Sequence, residues 1–203
     1  MSFTKVIRRV AIVGTGVTGA SWATHYLSRG FDVVATDPAP NAESDLRNFV
    51  DEAWAALASV GMAPGASAAR LRFVPNLEEA LTDADFVQEN GPEHPDLKVK
   101  LFAEMDAAAP ADSILASSSS GIPMDVIQSA CTRPERCVIG HPFNPAHIVP
   151  LVEAVGWGND VGSRDRACAG LLRVCKKPIR LRKALTGIAY AELPASNGRS
   201  KSR

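Results

Sequence analysis

The chain is predicted to fold as an α/β domain built on a doubly wound, mainly parallel sheet. Three observations carry this. Short apolar runs alternate with longer stretches of helical spacing, the pattern of strands buried between helices. One apolar run, Val10 to Val13, leads directly into Gly14-x-Gly16-x-x-Gly19, and a second, Val33 to Thr36, ends on Asp37. At 203 residues, 46% hydrophobic and 22% charged, the chain can build one globular core of ordinary size.

The first strand, the glycine turn and the following helix form one unit. Gly14 permits a tight turn, and Gly16, lacking a Cβ, lets a pyrophosphate approach the backbone. Gly19 lets the helix lie close on the strand. The free N–H groups at the helix start, with the positive end of the helix dipole, attract phosphates. Asp37 stands where a carboxylate can accept both ribose hydroxyls of an adenosine and would repel a 2′-phosphate. The cofactor implied is NAD rather than NADP, and the fold is of the Rossmann type.

The first helix runs from about Thr18 to Ser28 and stops at Gly30. Pro38 and Pro40 break the chain, and Asn41 is positioned to cap a long helix. Its apolar positions Leu46, Phe49, Val50, Ala53, Trp54, Leu57 and Val60 recur at helical spacing up to Gly61. Trp54 is read as core. Strands follow at Leu71 to Val74, Phe86 to Gln88, Ser113 to Ala116, Val138 to Gly140, Leu151 to Val155 and Ile179 to Leu181. Helices fall at Leu77 to Leu81, Asp96 to Ala108, Met124 to Ser129 and Ser163 to Cys175. No internal repeat is visible. The domain is drawn at residues 1–185. Residues 186–203 are drawn as a tail outside the domain; Leu193 to Arg203 is polar and basic without periodicity, and roughly the last fifteen residues read as disordered.

Bulk properties exclude several function classes. The formal net charge is zero, so nothing points to nucleic acid or an anionic membrane. No apolar run approaches the ~20 residues of a membrane span, and the N-terminus is not a signal peptide. Cys131, Cys137, Cys168 and Cys175 lack metal-ligand spacing, and thiols in a reducing cytoplasm are expected.

Two further stretches carry chemistry. In Gly140-His-Pro-Phe-Asn-Pro-Ala-His-Ile-Val-Pro-Leu-Val-Glu153, His141 follows a buried strand at the mouth of the sheet. Glu153 has apolar neighbours on both sides, and a buried carboxylate needs a partner. His141 is the nearest suitable one. The pair reads equally as a base oriented by a carboxylate, suited to taking a proton from an alcohol, or as a structural ion pair. The run Ala116-Ser-Ser-Ser-Ser-Gly121 lines a cofactor or substrate oxygen, or simply caps a helix.

Together with Gln88-Glu-Asn-Gly-Pro-Glu-His-Pro-Asp-Leu-Lys-Val-Lys100, these motifs resemble the 3-hydroxyacyl-CoA dehydrogenase family over about residues 6–183. The His-Pro-Phe-Asn-Pro and four-serine forms are most similar to its small-substrate branch, which oxidises L-carnitine or L-gulonate. The resemblance implies NAD-dependent oxidation of the 3-hydroxyl of a small hydroxy acid. It makes His141 the catalytic base, Glu153 its orienting partner and Ser120 the hydrogen-bond donor to the substrate hydroxyl. It places Glu93 and Lys100 near the nicotinamide ribose. Family members that bind coenzyme A present lysines after the second strand. Here that segment carries Glu43, Asp45, Asp51 and Glu52, with Arg47 the only base between Asp37 and Gly61. This is either a poor site for nucleotide phosphates or a solvated face.

The resemblance also implies a Gly-x-Ile-x-Asn-Arg motif and a helical domain that forms a homodimer and closes the site. The chain instead reads Thr186-Gly-Ile-Ala-Tyr-Ala191 and onward to Arg203. Ala191 falls near the expected Asn. A truncated or frame-shifted member is expected, active weakly or only as an NAD-binding module.

Overall fold

The computed structural model describes residues 5–155, 170, 174 and 176–180. The strands are β1 (Arg9–Val13), β2 (Asp32–Thr36), β3 (Leu71–Phe73), β4 (Phe86–Glu89), β5 (Ile114–Ser117), β6 (Cys137–Pro142), β7 (Leu151–Val155) and β8 (Lys177–Arg180). The helices are α1 (Val17–Ser28), α2 (Ala42–Val60), α3 (Leu77–Leu81), α4 (Pro95–Ala108) and α5 (Met124–Ile127). The strands form one sheet in the order β3-β2-β1-β4-β5-β6-β7-β8. β1 to β6 are parallel, β7 runs antiparallel to β6, and β8 parallel to β7.

The alternation of side chains across the sheet sorts the core into two layers. Val10 and Ile12 pack with Trp22, Tyr26, Leu46 and Val50 of α1 and α2. Ala11 and Val13 face the other way, with Phe102, Met105 and Ile127 of α4 and α5. Both faces of the central strands are therefore covered, which explains their unbroken apolar character. Trp54 packs at the edge of the first layer, as its helical spacing suggests.

Among the described residues the expected elements recur with ends shifted by at most two residues. Asn41 does precede α2, but its side chain makes no capping bond. Its backbone is left-handed (φ 63°), and its carbonyl accepts from Asp45 N at 2.9 Å and Ser44 Oγ at 2.8 Å. Apart from Gly170 and Val174, the helix drawn at 163–175 lies outside the described residues, as do the tail from 186, Cys168 and Cys175. Among the described residues no helix is long and apolar enough to cross a membrane. None of their His, Cys, Asp and Glu side chains cluster as a metal site.

Candidate active site

Strand order reverses between β1 and β4, and the polar residues gather where these parallel strands end. Gly14 has φ +86°, and a Cβ there would lie 2.9 Å from the carbonyl carbon of Asn90. A Cβ on Gly19 would lie 1.9 Å from the carbonyl oxygen of Gly14. Gly16 differs: a Cβ there would meet nothing within 4 Å. The fold itself thus needs glycine at 14 and 19. At 16 only a ligand needs it. No side chain caps α1, so its first N–H groups are left to an incoming phosphate.

Asp37 is held in place before any ligand arrives. Its Oδ2 accepts from Thr15 N at 2.6 Å and Thr15 Oγ1 at 3.3 Å, and its Oδ1 accepts from Ala39 N at 2.8 Å. It lines a cavity of about 330 Å³ with Gly16, Val17, Asp45 and Phe49. A glycine cradle, an uncapped helix start and a fixed carboxylate fit a dinucleotide whose ribose bears free hydroxyls.

The four serines after β5 separate cleanly. Ser117 Oγ donates to Glu89 at 2.6 Å. Ser118 Oγ donates to Asn90 at 2.7 Å and accepts from Trp22 Nε1 and Gln88 Nε2. Ser119 Oγ donates to Glu93 at 2.6 Å and accepts from Ile122 N. Only Ser120 has a hydroxyl without a partner among the described residues. Glu93 Oε1 also accepts from the backbone N–H groups of Ser120 and Gly121 at 3.0 and 2.9 Å. Partial burial works to raise the Glu93 carboxyl. The Ser119 bond, the Gly121 and Ser120 amides and the Lys98 charge outweigh it and hold the carboxyl below its ordinary value. Glu93 therefore fixes the turn that presents Ser120.

Behind this turn sits an ion pair that the sequence reading missed. Lys98 Nζ lies 2.8 and 3.0 Å from the two carboxylate oxygens of Glu89, and their side chains are 2% and 0% exposed. Lys98 also reaches Glu93 at 3.7 Å. Lys100 is the lysine that the family resemblance places at the site. Its side chain is 77% exposed and pairs at 3.9 Å with Glu104, on the outer face of α4. Two residues along a helix turn a side chain through about 200°, so Lys98 and Lys100 face opposite ways. Spacing held the clue: Lys98, Phe102 and Met105 recur at i, i+4 and i+7 and are all buried.

His141 and Glu153 are register partners across the antiparallel β6–β7 pair, which places both side chains on one face. His141 Nδ1 lies 2.9 Å from Glu153 Oε2, with side-chain exposures of 30% and 8%. A carboxylate only accepts, so Nδ1 is the donor to Glu153, and in the neutral ring Nε2 is the nitrogen that can act as a base. β5 and β6 are paired with Ser117 beside Ile139, so Ser120 and His141 leave the sheet at the same end. The loop joining β6 to β7 is braced from two sides. Ser21 Oγ bonds His147 Nδ1 at 2.8 Å, and Lys176 Nζ donates to the carbonyls of Ala146 and Val149 while lying 4.7 Å over the Trp22 ring. Burial first, and the Arg29 charge second, push the Lys176 ammonium down to about 7.

This geometry agrees with what known proteins share with the chain. The sequence profile of the 3-hydroxyacyl-CoA dehydrogenase NAD-binding domain matches residues 9–184. The chain belongs to the 3-hydroxyacyl-CoA dehydrogenase family. It is 52% identical over 172 residues to an L-carnitine dehydrogenase of Nocardiopsis dassonvillei, covering 82% of this chain and 52% of that protein. It is 46% identical over 189 residues to an L-carnitine dehydrogenase of Pseudomonas syringae, covering 92% of this chain and 59% of that one. The chain therefore spans a little over half the length of these relatives. In three dimensions it resembles the NAD+-dependent dismutase 5-formyl-3-hydroxy-2-methylpyridine-4-carboxylic acid 5-dehydrogenase. The TM-score is 0.81 at 32% identity, over 89% of this chain and 59% of that one. Within the family, the part described here is an NAD-binding domain.

Proposed function

We propose that this domain serves NAD-dependent oxidation of the 3-hydroxyl of a small hydroxy acid of the L-carnitine type. The observation that carries the reading is the His141–Glu153 pair at the same end of the sheet as the glycine cradle and the unpartnered Ser120 hydroxyl. The relatives named for L-carnitine support the substrate class. So does α2, whose exposed Glu43, Asp45, Asp51 and Glu52 repel the phosphates of a coenzyme A and tolerate a cationic substrate. Asp37 favours NAD over NADP.

NAD, when bound, supplies the hydride acceptor. Gly16 and the start of α1 hold the pyrophosphate, and Asp37 takes the adenosine ribose. Ser120 donates a hydrogen bond to the substrate oxygen. His141 Nε2 removes the hydroxyl proton, and Glu153 balances the charge that the ring acquires. Glu153 and Glu93 are positioning residues: one fixes the ring, the other the serine turn. General-base participation of this kind is worth about 10²–10⁴ in rate.

The test is NADH formation from L-carnitine, L-gulonate and a 3-hydroxyacyl-CoA. It is run on this chain and on the chain extended by the C-terminal part of an L-carnitine dehydrogenase. L-carnitine turnover by the extended protein, reduced about 10²–10⁴-fold by His141→Gln, supports the proposal. Preference for the acyl-CoA or L-gulonate overturns the substrate class. Tight NAD binding with no oxidation of any substrate by either protein favours a second reading, that of an NAD-binding module.

A further inference from the structure

Cys131 and Cys137 take no part in the site described above. Cys131 is half-buried in the turn that follows α5. Cys137 is fully buried and opens β6, at the end of that strand remote from His141. Their sulfur atoms are 3.9 Å apart, with the Cys137 thiol donating to Cys131.

The chain between them is tightly held. Asp106 Oδ2 accepts from Thr132 N at 2.7 Å, Thr132 Oγ1 at 2.6 Å and Arg133 N at 3.1 Å. Asp106 Oδ1 accepts from Arg136 Nη2 at 2.7 Å and Nε at 2.9 Å. Cys131 N donates to Gln128 O at 2.9 Å. The two thiols are thus kept facing each other by a buried carboxylate between their attachment points. Closing to the ~2.05 Å of a covalent S–S bond needs a shift of about 2 Å. Cys131 lies in a turn, outside regular structure, and can make that shift.

The two sulfurs are unequal in a useful way. The hydrogen bond from Cys137 favours the Cys131 thiolate; burial and Asp106 oppose this, Arg136 assists, and the thiol stands below its ordinary value. The same hydrogen bond, with burial, pushes Cys137 up. Cys131 is the sulfur with an exposed surface and thiolate character. Cys137 meets no solvent, and need reach only Cys131.

We propose that Cys131 and Cys137 are a redox-active pair, in which a hydroperoxide oxidises Cys131 and Cys137 resolves the product to an intramolecular disulfide. In the first step the Cys131 thiolate attacks the peroxide. An S–O bond forms, the O–O bond breaks, and the departing oxygen takes up a proton to leave as water (or an alcohol). In the second step the Cys137 sulfur attacks the Cys131 sulfenic acid. An S–S bond forms, the S–O bond breaks, and hydroxide leaves as water with the Cys137 proton. Two thiols lose two electrons, and the peroxide gains them.

The experiment uses hydrogen peroxide on the reduced full chain, followed by alkylation under denaturing conditions and tryptic mapping. Trypsin cuts after Arg136 but not after Arg133, which precedes Pro134. Peptide 101–136 then carries Cys131 alone, and peptide 137–164 carries Cys137 alone. The expected result is loss of two of the four alkylatable thiols, with these two peptides joined and released by dithiothreitol. In Cys137→Ser, dimedone should trap Cys131 as the sulfenic acid, and no linked peptide should form. Recovery of both peptides alkylated and unlinked overturns the proposal. So does linkage of either to Cys168 or Cys175, or linkage no faster in the folded chain than in urea. A joined pair with unchanged NAD affinity supports it, because the pair sits at the far end of β6.

Discussion

Lys98→Met removes one charge from the buried pair behind the serine turn while keeping the length of the side chain. In the native domain the Glu89 carboxylate is fully enclosed. It receives Lys98 Nζ at 2.8 and 3.0 Å, Gly91 N at 2.6 Å and Ser117 Oγ at 2.6 Å. After the substitution only the two neutral donors remain. Breaking a buried pair from one side costs about 3–5 kcal/mol, since the other charge is left uncompensated. Each surviving bond to the charged oxygen retains about 1.5–3 kcal/mol, so the loss should fall near the lower end, about 3 kcal/mol. At about 2–4 °C per kcal/mol for a domain of this size, Tm should drop by about 6–12 °C. The assay is urea unfolding followed by circular dichroism on the wild type, Lys98→Met, Glu89→Gln and the double variant. The double variant should lose less than the sum of the singles, because two neutral side chains facing each other leave no orphaned charge. A loss below about 1 kcal/mol for Lys98→Met, or simple additivity of the two, would refute the reasoning.

Further outcomes follow from the glycine cradle, Asp37 and Asp106. Gly16→Ala should keep the wild-type Tm and lose NAD binding by calorimetry, since its Cβ enters space that only a ligand fills. Gly19→Ala should lose both, because its Cβ collides with the Gly14 backbone. Asp37→Ser should weaken NAD by about 10–100-fold, the worth of one hydrogen bond to a charged group, and narrow the gap to NADP. Burial of the Asp106 carboxyl is outweighed by the Thr132 and Arg136 bonds and the backbone amides, which hold it at about 2. A lowered carboxyl stabilises the fold above its ordinary value of 3.8 and loses that contribution as pH falls toward 2. Asp106→Asn should therefore be less stable at neutral pH and flatten the acid limb of the stability profile in urea titrations at pH 2–5.

The cysteine pair lies at the end of the sheet opposite the one that carries the dinucleotide cradle. Their tests are accordingly independent: peroxide mapping reads one, and cofactor titration the other. Failure of either leaves the other untouched.

Much of this protein was written locally in the chain. The strand-turn-helix unit from Val10 to Ser28, the acid ending β2 and the span of α2 follow from periodicity, glycine sterics and chain breaks, all of which act over a few residues. A buried carboxylate in an apolar run also announced that Glu153 needed a partner. The tertiary structure alone decided the rest. Strand order, and the antiparallel β7 that sets Glu153 opposite His141, depend on pairing between residues distant along the chain. Which of four successive serines keeps a hydroxyl without a partner among the described residues depends on Trp22, Gln88, Glu89, Asn90 and Glu93, all of them more than twenty residues from the serines. Lys98 rather than Lys100 enters the site because the helix presents Lys98 on the face that packs inward. Local sterics fix what each segment becomes; the identity of a side chain's partner is fixed only when the segments pack, because hydrogen bonds and ion pairs are made across space.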